Sequence, residues 1–149
     1  MKHIQKIVVG TDFSDIADTA VDYTVDLAAQ VGAFVTLVHA YELPMYSFPD
    51  GVVVSSADAA DKLTTLARER LDATVARYKD RGVSVKSVLR MGPAWEELNN
   101  VAAEEAADLI VVGTHGRRGF SRVVLGSVAE RMVRTATRPL IVIPGKDRK

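Results

Sequence analysis

Four residues near the carboxyl end of the chain have a spacing that suits the binding of an anion. Gly113 and Gly116 are followed, after nine intervening residues, by the pair Gly126-Ser127. Glycines let the backbone approach a ligand closely, and the first N–H groups of a helix favour a negative charge. Because Ser127 begins an apolar helical pattern, these residues can hold a group such as a phosphate.

The same residues also suit a role without any ligand. Ser127 and Glu130 have the spacing of a capping box, in which two side chains bind the first backbone N–H groups of a helix. Glycines at a junction between a loop and a helix also serve as turn and cap residues. From the residues alone, both interpretations stay open.

Charge distinguishes this helix start from the start of the first predicted helix. Asp12, Asp15 and Asp18 crowd the first helix, where their charge opposes a phosphate. Three basic residues precede the later helix, namely Arg117, Arg118 and Arg122. They can screen a phosphate or only solvate a loop, and the scarcity of aromatics among them argues against nucleic-acid binding. A phosphate is therefore expected at the later helix.

The elements that must position these residues alternate along the chain. Apolar runs rich in β-branched residues predict five buried strands, over Lys6–Gly10, Phe34–Ala40, Val83–Leu89, Leu109–Gly113 and Leu140–Pro144. Helical patterns lie between them, over Asp15–Val31, over about 56–81, from Pro93 onward, and from Ser127 to Ala136. The stretch Glu42–Val54 contains two prolines and a glycine, and this composition predicts an irregular surface loop.

Single residues mark three of the predicted helix ends. Ser14 is the predicted N-cap of the first helix, and Gly32 suits the left-handed position that follows it. Pro93 is predicted to occupy the first position of the third helix, where its missing N–H costs nothing.

This alternation predicts an α/β fold with a single open sheet of five parallel strands and helices on both faces. A strand order of 3-2-1-4-5 brings the ends of the first and fourth strands together. Thr11 and Gly113 then border the crevice in which such folds bind ligands. No linker or repeat interrupts the pattern, so one domain is predicted for residues 1–149.

Composition limits the classes of function. The 19 basic and 19 acidic residues cancel, which argues against a nucleic-acid or membrane-surface role. The chain has no cysteine, so disulfides, thiol catalysis and cysteine-bound metals are excluded. No stretch approaches the ~18 apolar residues of a membrane span, and a cytoplasmic protein is expected. His39 and His115 fall at strand ends, but a two-histidine metal site lacks a third clear ligand.

The sequence resembles the universal stress protein A family. The ATP-binding branch of that family is marked by G-x2-G-x9-G-[S/T] after the fourth strand, and this chain matches it at every fixed position. The resemblance extends over the whole chain, from the opening Ile7–Asp12 to the closing Arg138–Pro144. It implies a Rossmann-like fold of the adenine nucleotide alpha hydrolase type and a frequent homodimer.

The resemblance also implies an adenine-nucleotide site for ATP, AMP or ADP, with Mg²⁺ beside the phosphates. Asp12 and Ala40 would lie beside the adenosine and Gly113 near the ribose, with the phosphates at the start of the last helix. The implied contacts are Thr11, Asp12, Ala40, Val112, Gly113, Gly116, Gly126, Ser127, Val128 and Ala129. Some family members that bind ATP have a hydroxyl residue where this chain has Ala129, which implies one phosphate contact fewer.

Motifs of several enzyme classes are missing from the sequence. No Walker A lysine follows the glycines, no G-x-G-x-x-G follows the first strand, and no G-x-S-x-G occurs. The resemblance therefore implies a nucleotide-binding regulatory protein of stress adaptation, which pairs through its apolar last strand if that strand is an edge. One alternative is a slow ATPase or self-phosphorylating protein with acceptors among Thr114, Ser121 and Ser127. Another is a partner-binding scaffold with an empty crevice.

Overall fold

A computed structural model describes residues 3–54, 56–115 and 125–145. Seven strands occur in the described residues: β1 (Lys6–Gly10), β2 (Phe34–Tyr41), β3 (Met45–Phe48), β4 (Gly51–Val54), β5 (Val85–Met91), β6 (Leu109–Gly113) and β7 (Leu140–Ile143). The helices are α1 (Asp15–Val31), α2 (Ala57–Ala76), α3 (Ala94–Glu104) and α4 (Ser127–Thr135), with a 3-10 turn at Lys79–Arg81.

Five of these strands form one parallel sheet in the order β5-β2-β1-β6-β7. They are the five strands that the apolar runs predict, so the predicted order 3-2-1-4-5 is confirmed. The third strand runs from Val85 to Met91, two residues later than its pattern indicates. The sheet is central because its strands are apolar on both faces, as parallel strands between helices must be.

The two faces of the sheet support two separate cores. Ile7 and Val9 of β1 point to the face covered by α1 and α2, whereas Val8 between them points to the face covered by α3 and α4. All three are fully buried. This alternation fixes the register of the central strand, because a shift by one residue would exchange the two faces.

The ends of α1 confirm the predicted caps. The Ser14 hydroxyl accepts a hydrogen bond from the N–H of Ala17 at 3.2 Å. Gly32 adopts the left-handed conformation with φ of 71°. The prediction for Pro93 is wrong by one position, since it is the N-cap of α3, with ψ of 131°, and not its first helical residue. None of the described helices is long and apolar enough to span a membrane.

The stretch between β2 and α2 contains regular structure, so the prediction of an irregular loop is wrong. β3 and β4 form an antiparallel hairpin in which Phe48 pairs with Gly51. Pro49 and Asp50 therefore form a two-residue turn. The signal for it is present in the sequence, because a Pro-Asp-Gly run between two short apolar segments is typical of a tight turn.

Charged contacts join α1 to the end of α2. Asp18 pairs with Arg77 at 3.0 Å, and Asp26 pairs with Arg81. Between them, the buried Tyr78 hydroxyl donates to the Asp22 carboxylate at 2.6 Å. Burial raises the pKa of Tyr78, and the hydrogen bond to Asp22 raises it further. The folded chain therefore holds this phenol in its neutral form.

The Tyr78 contact predicts a loss of stability at high pH. An unfolded tyrosine loses its proton near pH 10, whereas folded Tyr78 keeps it, so its contribution is complete below about pH 10 and declines above it. We expect Tyr78→Phe to lower the free energy of unfolding by about 1–2 kcal/mol at neutral pH and to flatten the alkaline decline. Urea unfolding followed by circular dichroism across this pH range measures both effects.

The matched control is Tyr23→Phe, which removes a phenol that is 47% exposed on α1. This variant should keep the neutral stability and the alkaline decline of the native chain. An alkaline decline that is the same in the native chain and in Tyr78→Phe would contradict the assignment.

Candidate functional site

A cleft opens at the carboxyl ends of the central strands. The helices α1 and α2 cover one face of the sheet and α3 and α4 the other, so the chain diverges where β1 and β6 end side by side. Parallel sheets bind ligands at such a divergence. A cavity of about 120 Å³ lies in this cleft.

Nine of the ten predicted contact residues line this cleft: Thr11, Asp12, Ala40, Val112, Gly113, Gly126, Ser127, Val128 and Ala129. They come from the ends of β1, β2 and β6 and from the start of α4. The fold thus brings together segments that are far apart in the sequence. Gly116 lies outside the described residues, as do Arg117, Arg118, Ser121 and Arg122.

Gly10, Thr114 and His115, which belong to the two predicted strand ends, also line the cleft. Four further lining residues are not predicted from the sequence: Ala17, Val38, Ala94 and Leu98. The predicted topology already implies that Ala94 and Leu98 of α3 lie near the cleft. Every helix that follows a strand of a parallel sheet begins at the same edge, so α3 must start beside the cleft. A Cβ on Gly10 would lie 3.1 Å from Leu98 Cδ1, which shows how closely α3 approaches β1.

The turn after β1 is held by its own side chains. The Thr11 hydroxyl accepts from the N–H of Phe13 at 3.0 Å, and the Asp12 carboxylate accepts from the N–H of Ser14 at 2.9 Å. The Asp12 contact is a local turn role that the residue fills without any ligand. Because Asp12 also lines the cleft, this contact holds its carboxylate at the edge of the cavity.

Phe13 has an unusual backbone conformation in this turn. Its φ of 63° lies in the left-handed region, which is unfavourable for a bulky residue. Two contacts hold the ring, with His39 at 4.5 Å between centroids and the Arg70 guanidinium 5.6 Å above it. His39 in turn places Nδ1 2.8 Å from the Thr11 carbonyl. The surrounding structure therefore maintains a strained backbone beside the cleft.

The start of α4 differs from the predicted capping box. Gly126 is the N-cap and Ser127 the first helical residue, and no side chain caps this helix in the part of the chain that the structure describes. Gly126 donates its own N–H to the Thr114 carbonyl at 2.6 Å. The positive end of α4 thus borders the cleft, and its backbone N–H groups are not bound by a side-chain cap from the described residues. Such a helix start favours an anion.

Different physical constraints act at the two glycines of the motif that the structure describes. A Cβ on Gly113 would lie 2.9 Å from Ile16 Cγ2, so this glycine is required by the contact of β6 with α1. Gly126 has φ of −62° and ψ of 158°, a conformation that any residue can adopt. The conformation of the backbone therefore does not explain the glycine at 126.

The two histidines at strand ends make separate contacts in the structure. No cluster of three or more potential metal-binding side chains occurs in residues 3–54, 56–115 and 125–145. His39 contacts the Thr11 carbonyl and the Phe13 ring in the turn after β1. His115 has Nδ1 3.0 Å from the Thr114 hydroxyl, whereas its Nε2 is buried and has no hydrogen-bond partner among the described residues.

The family model of the universal stress protein family matches residues 3–144. A universal stress protein of Methanocaldococcus jannaschii is 25% identical, and the match covers 96% of each protein. A solved structure from this family in Burkholderia pseudomallei is 31% identical with a TM-score of 0.76, and covers 97% of this chain and 98% of that chain. A universal stress protein solved in complex with cAMP is 26% identical with a TM-score of 0.72, and covers 97% of this chain and 100% of that chain.

The matched range contains both sides of the cleft, from the β1 turn to the start of α4. It also contains all five strands of the parallel sheet. The resemblance seen in the sequence is therefore confirmed over nearly its whole length. The chain belongs to the universal stress protein family.

Proposed function

We propose that this chain binds an adenine nucleotide in the cleft and acts as a regulatory protein of stress adaptation. The observation that carries the proposal is the start of α4, which no side chain of the described residues caps and which borders an otherwise largely apolar cavity. An adenosine needs an apolar pocket, and its phosphates need a positive region at one end. The cleft offers both within one cavity.

The apolar part of the cleft suits the adenosine. Val38 and Ala40 lie at the end of β2, Val112 lies at the end of β6, and Leu98 approaches from α3. Small-molecule sites combine such an apolar lining with a few polar groups that fix the orientation of the ligand. Asp12 is the charged side chain of this lining, and it can either hydrogen-bond the adenosine or help to hold a cation beside the phosphates.

The start of α4 suits the phosphates. Ser127, Val128 and Ala129 line the cleft and form the first turn of the helix, where backbone N–H groups have no intrahelical partner. Anionic groups bind well at such positions. The related universal stress protein that was solved with cAMP supports a phosphate-bearing adenine ligand in this fold.

The proposed ligand is ATP, ADP or AMP, with Mg²⁺ for the polyphosphates. Magnesium is held in many nucleotide sites by phosphate oxygens, water and one or two carboxylates. Asp12 is the carboxylate that lines this cleft. The residues present therefore fit a nucleotide whose phosphates supply most of the magnesium ligands.

Nucleotide binding predicts a rise in thermal stability. A ligand at about 100 times its Kd stabilises the folded state by about 2.7 kcal/mol, which corresponds to a rise in Tm of roughly 5–10 °C for a chain of this size. We expect ATP, ADP or AMP to produce this shift and GTP to produce a smaller one. Scanning calorimetry of the ligand-free chain with each nucleotide measures it. An unchanged Tm with every adenine nucleotide at millimolar concentration would favour the scaffold alternative.

Gly126→Val tests where the nucleotide binds. The backbone conformation of Gly126 accepts a valine. Because Gly126 lines the cleft at the start of α4, a bulky residue there should compete with the phosphates for space. We expect this variant to remain folded and to lose the nucleotide-dependent shift. Val133→Leu is the matched control, because it adds bulk to α4 at a position that is 60% exposed and does not line the cleft. If Gly126→Val keeps the shift, the site lies elsewhere.

We further propose that the chain forms a homodimer through β7, which is an edge of the sheet. The carbonyl of Pro139 accepts a hydrogen bond from Ile110 of β6, and that of Ile143 accepts one from Thr114, which directly follows β6. Since backbone groups of a strand alternate in direction, those of Leu140 and Val142 point away from β6. An apolar edge with outward-facing backbone groups is suited to pairing with a second copy.

The dimer proposal predicts twice the mass of the chain in light scattering. Val142→Pro removes one outward-facing N–H and keeps the hydrogen bonds to β6, because proline is tolerated at a sheet edge. We expect this variant to be a folded monomer with an unchanged far-ultraviolet circular dichroism spectrum. A native chain that scatters as a monomer at micromolar concentration would refute the dimer.

A further inference from the structure

The strand end that borders the cleft is supported from the opposite face of the sheet. Side chains of a strand alternate between the two faces. Val38 and Ala40 of β2 line the cleft, whereas His39 and Tyr41 lie on the face that α2 covers. The Tyr41 hydroxyl lies 2.9 Å from the Thr64 hydroxyl of α2. Contacts behind the sheet therefore hold the strand end whose other face forms the cleft.

Arg70 adds a contact between α2 and the turn after β1. Its guanidinium lies 5.6 Å from the centre of the Phe13 ring, and the same ring lies 4.5 Å from that of His39. A cation is attracted to the face of an aromatic ring, and aromatic rings attract one another. The Phe13 ring thus connects α2 with the end of β2 and with the turn.

The backbone of Phe13 needs these contacts. Its φ of 63° is unfavourable for any residue with a bulky side chain. The free energy that a left-handed residue costs is of the same order as the free energy gained from one cation–π or one aromatic contact. Because strain and restraint are so closely matched, the turn should relax toward negative φ when one restraint is removed.

Relaxation of Phe13 would change the edge of the cleft. The Asp12 carboxylate accepts a hydrogen bond from the N–H of Ser14, and this bond spans Phe13. A change in the φ of Phe13 therefore alters the bond that holds the carboxylate. Both Asp12 and the preceding Thr11 line the cleft.

We propose that Arg70 is a positioning residue of the ligand site. By holding the Phe13 ring from α2, it keeps the left-handed turn that places Thr11 and Asp12 at the cleft. This inference rests on the proposed adenine-nucleotide function. It gives α2 a part in binding, although the cleft-lining residues in the described part of the chain belong to other elements.

Substitution of Arg70 measures this contribution. Arg70→Gln removes the cation, whereas Arg70→Lys keeps one. Calorimetric titration with adenosine and with AMP, without added metal ions, gives the affinity of each variant. We expect Arg70→Gln to weaken both ligands by the same factor of about two to five, which is the loss of one exposed cation–π contact. Arg70→Lys should recover part of the loss.

The matched control is Arg68→Gln, which removes the same charge from an exposed position of α2. Arg68 lies about 200° around the helix from Arg70, so this variant should keep the native affinities. Native affinity in Arg70→Gln would refute the positioning role. A loss confined to AMP would also refute it, because Arg70 would then act through its charge on the phosphate.

Phe13→Asn tests whether Arg70 acts through the turn. Asparagine adopts the left-handed conformation more readily than phenylalanine does, so the turn no longer needs a contact with the ring. We expect Arg70→Gln to cause no further loss of affinity when it is combined with Phe13→Asn. An equal loss with and without Phe13→Asn would show that Arg70 acts by another route.

A measurement on the ligand-free chain distinguishes failure of this inference from failure of the nucleotide proposal. At positive φ the N–H and Hα protons of one residue lie close together and give a strong nuclear Overhauser effect. We expect this signal for Phe13 in the native chain and in Arg68→Gln, and a weaker one in Arg70→Gln. If the signal weakens but no adenine nucleotide binds, Arg70 holds the turn and the nucleotide proposal fails. If Arg70→Gln leaves the signal unchanged, the positioning role is refuted.

Discussion

The structure depends on a parallel sheet that must be covered on both faces. Its strands are apolar in both directions, as the buried Ile7, Val8 and Val9 show, so helices have to pack on each side. Parallel strands all end at one edge, and each connection leaves from that edge toward one face or the other. The cleft lies where the connections diverge, between β1 and β6. The site is thus a consequence of how the core is covered.

Close contacts between the layers keep this cleft in shape. Ile16 of α1 packs against Gly113, where a Cβ would approach it to 2.9 Å, and against Gly145, where the distance would be 3.0 Å. On the opposite face, Leu98 of α3 packs against Gly10. Since protein cores are close-packed, such contacts leave the helices little freedom to move relative to the strand ends. The turn after β1 forms one side of the cleft, and contacts of the Phe13 ring with His39 and Arg70 hold this turn in place.

The sequence predicts the parts of this arrangement that depend on local pattern. Apolar runs and the caps Ser14 and Gly32 locate the sheet and α1, because strand burial and cap chemistry are encoded by neighbouring residues. The hairpin is harder to predict, because its two strands have only four residues each and because Pro, Asp and Gly occur in irregular loops as well as in tight turns. The burial of His115 Nε2 does not follow from the sequence, since it depends on residues brought together only by the fold.

The glycine motif itself divides into two kinds of residue. Gly113 is required by Ile16 whether or not a ligand binds, so its presence alone is weak support for a nucleotide site. Gly126 adopts backbone angles open to every residue, yet it stands as N-cap where Ser, Thr, Asp or Asn would stabilise the helix at least as well. A side-chain cap would occupy one of the free N–H groups at the end of α4 that borders the cavity. With glycine at 126 the N-cap position carries no capping side chain, and the end of the helix stays available to an anion. Gly126 therefore supports anion binding more strongly than Gly113 does.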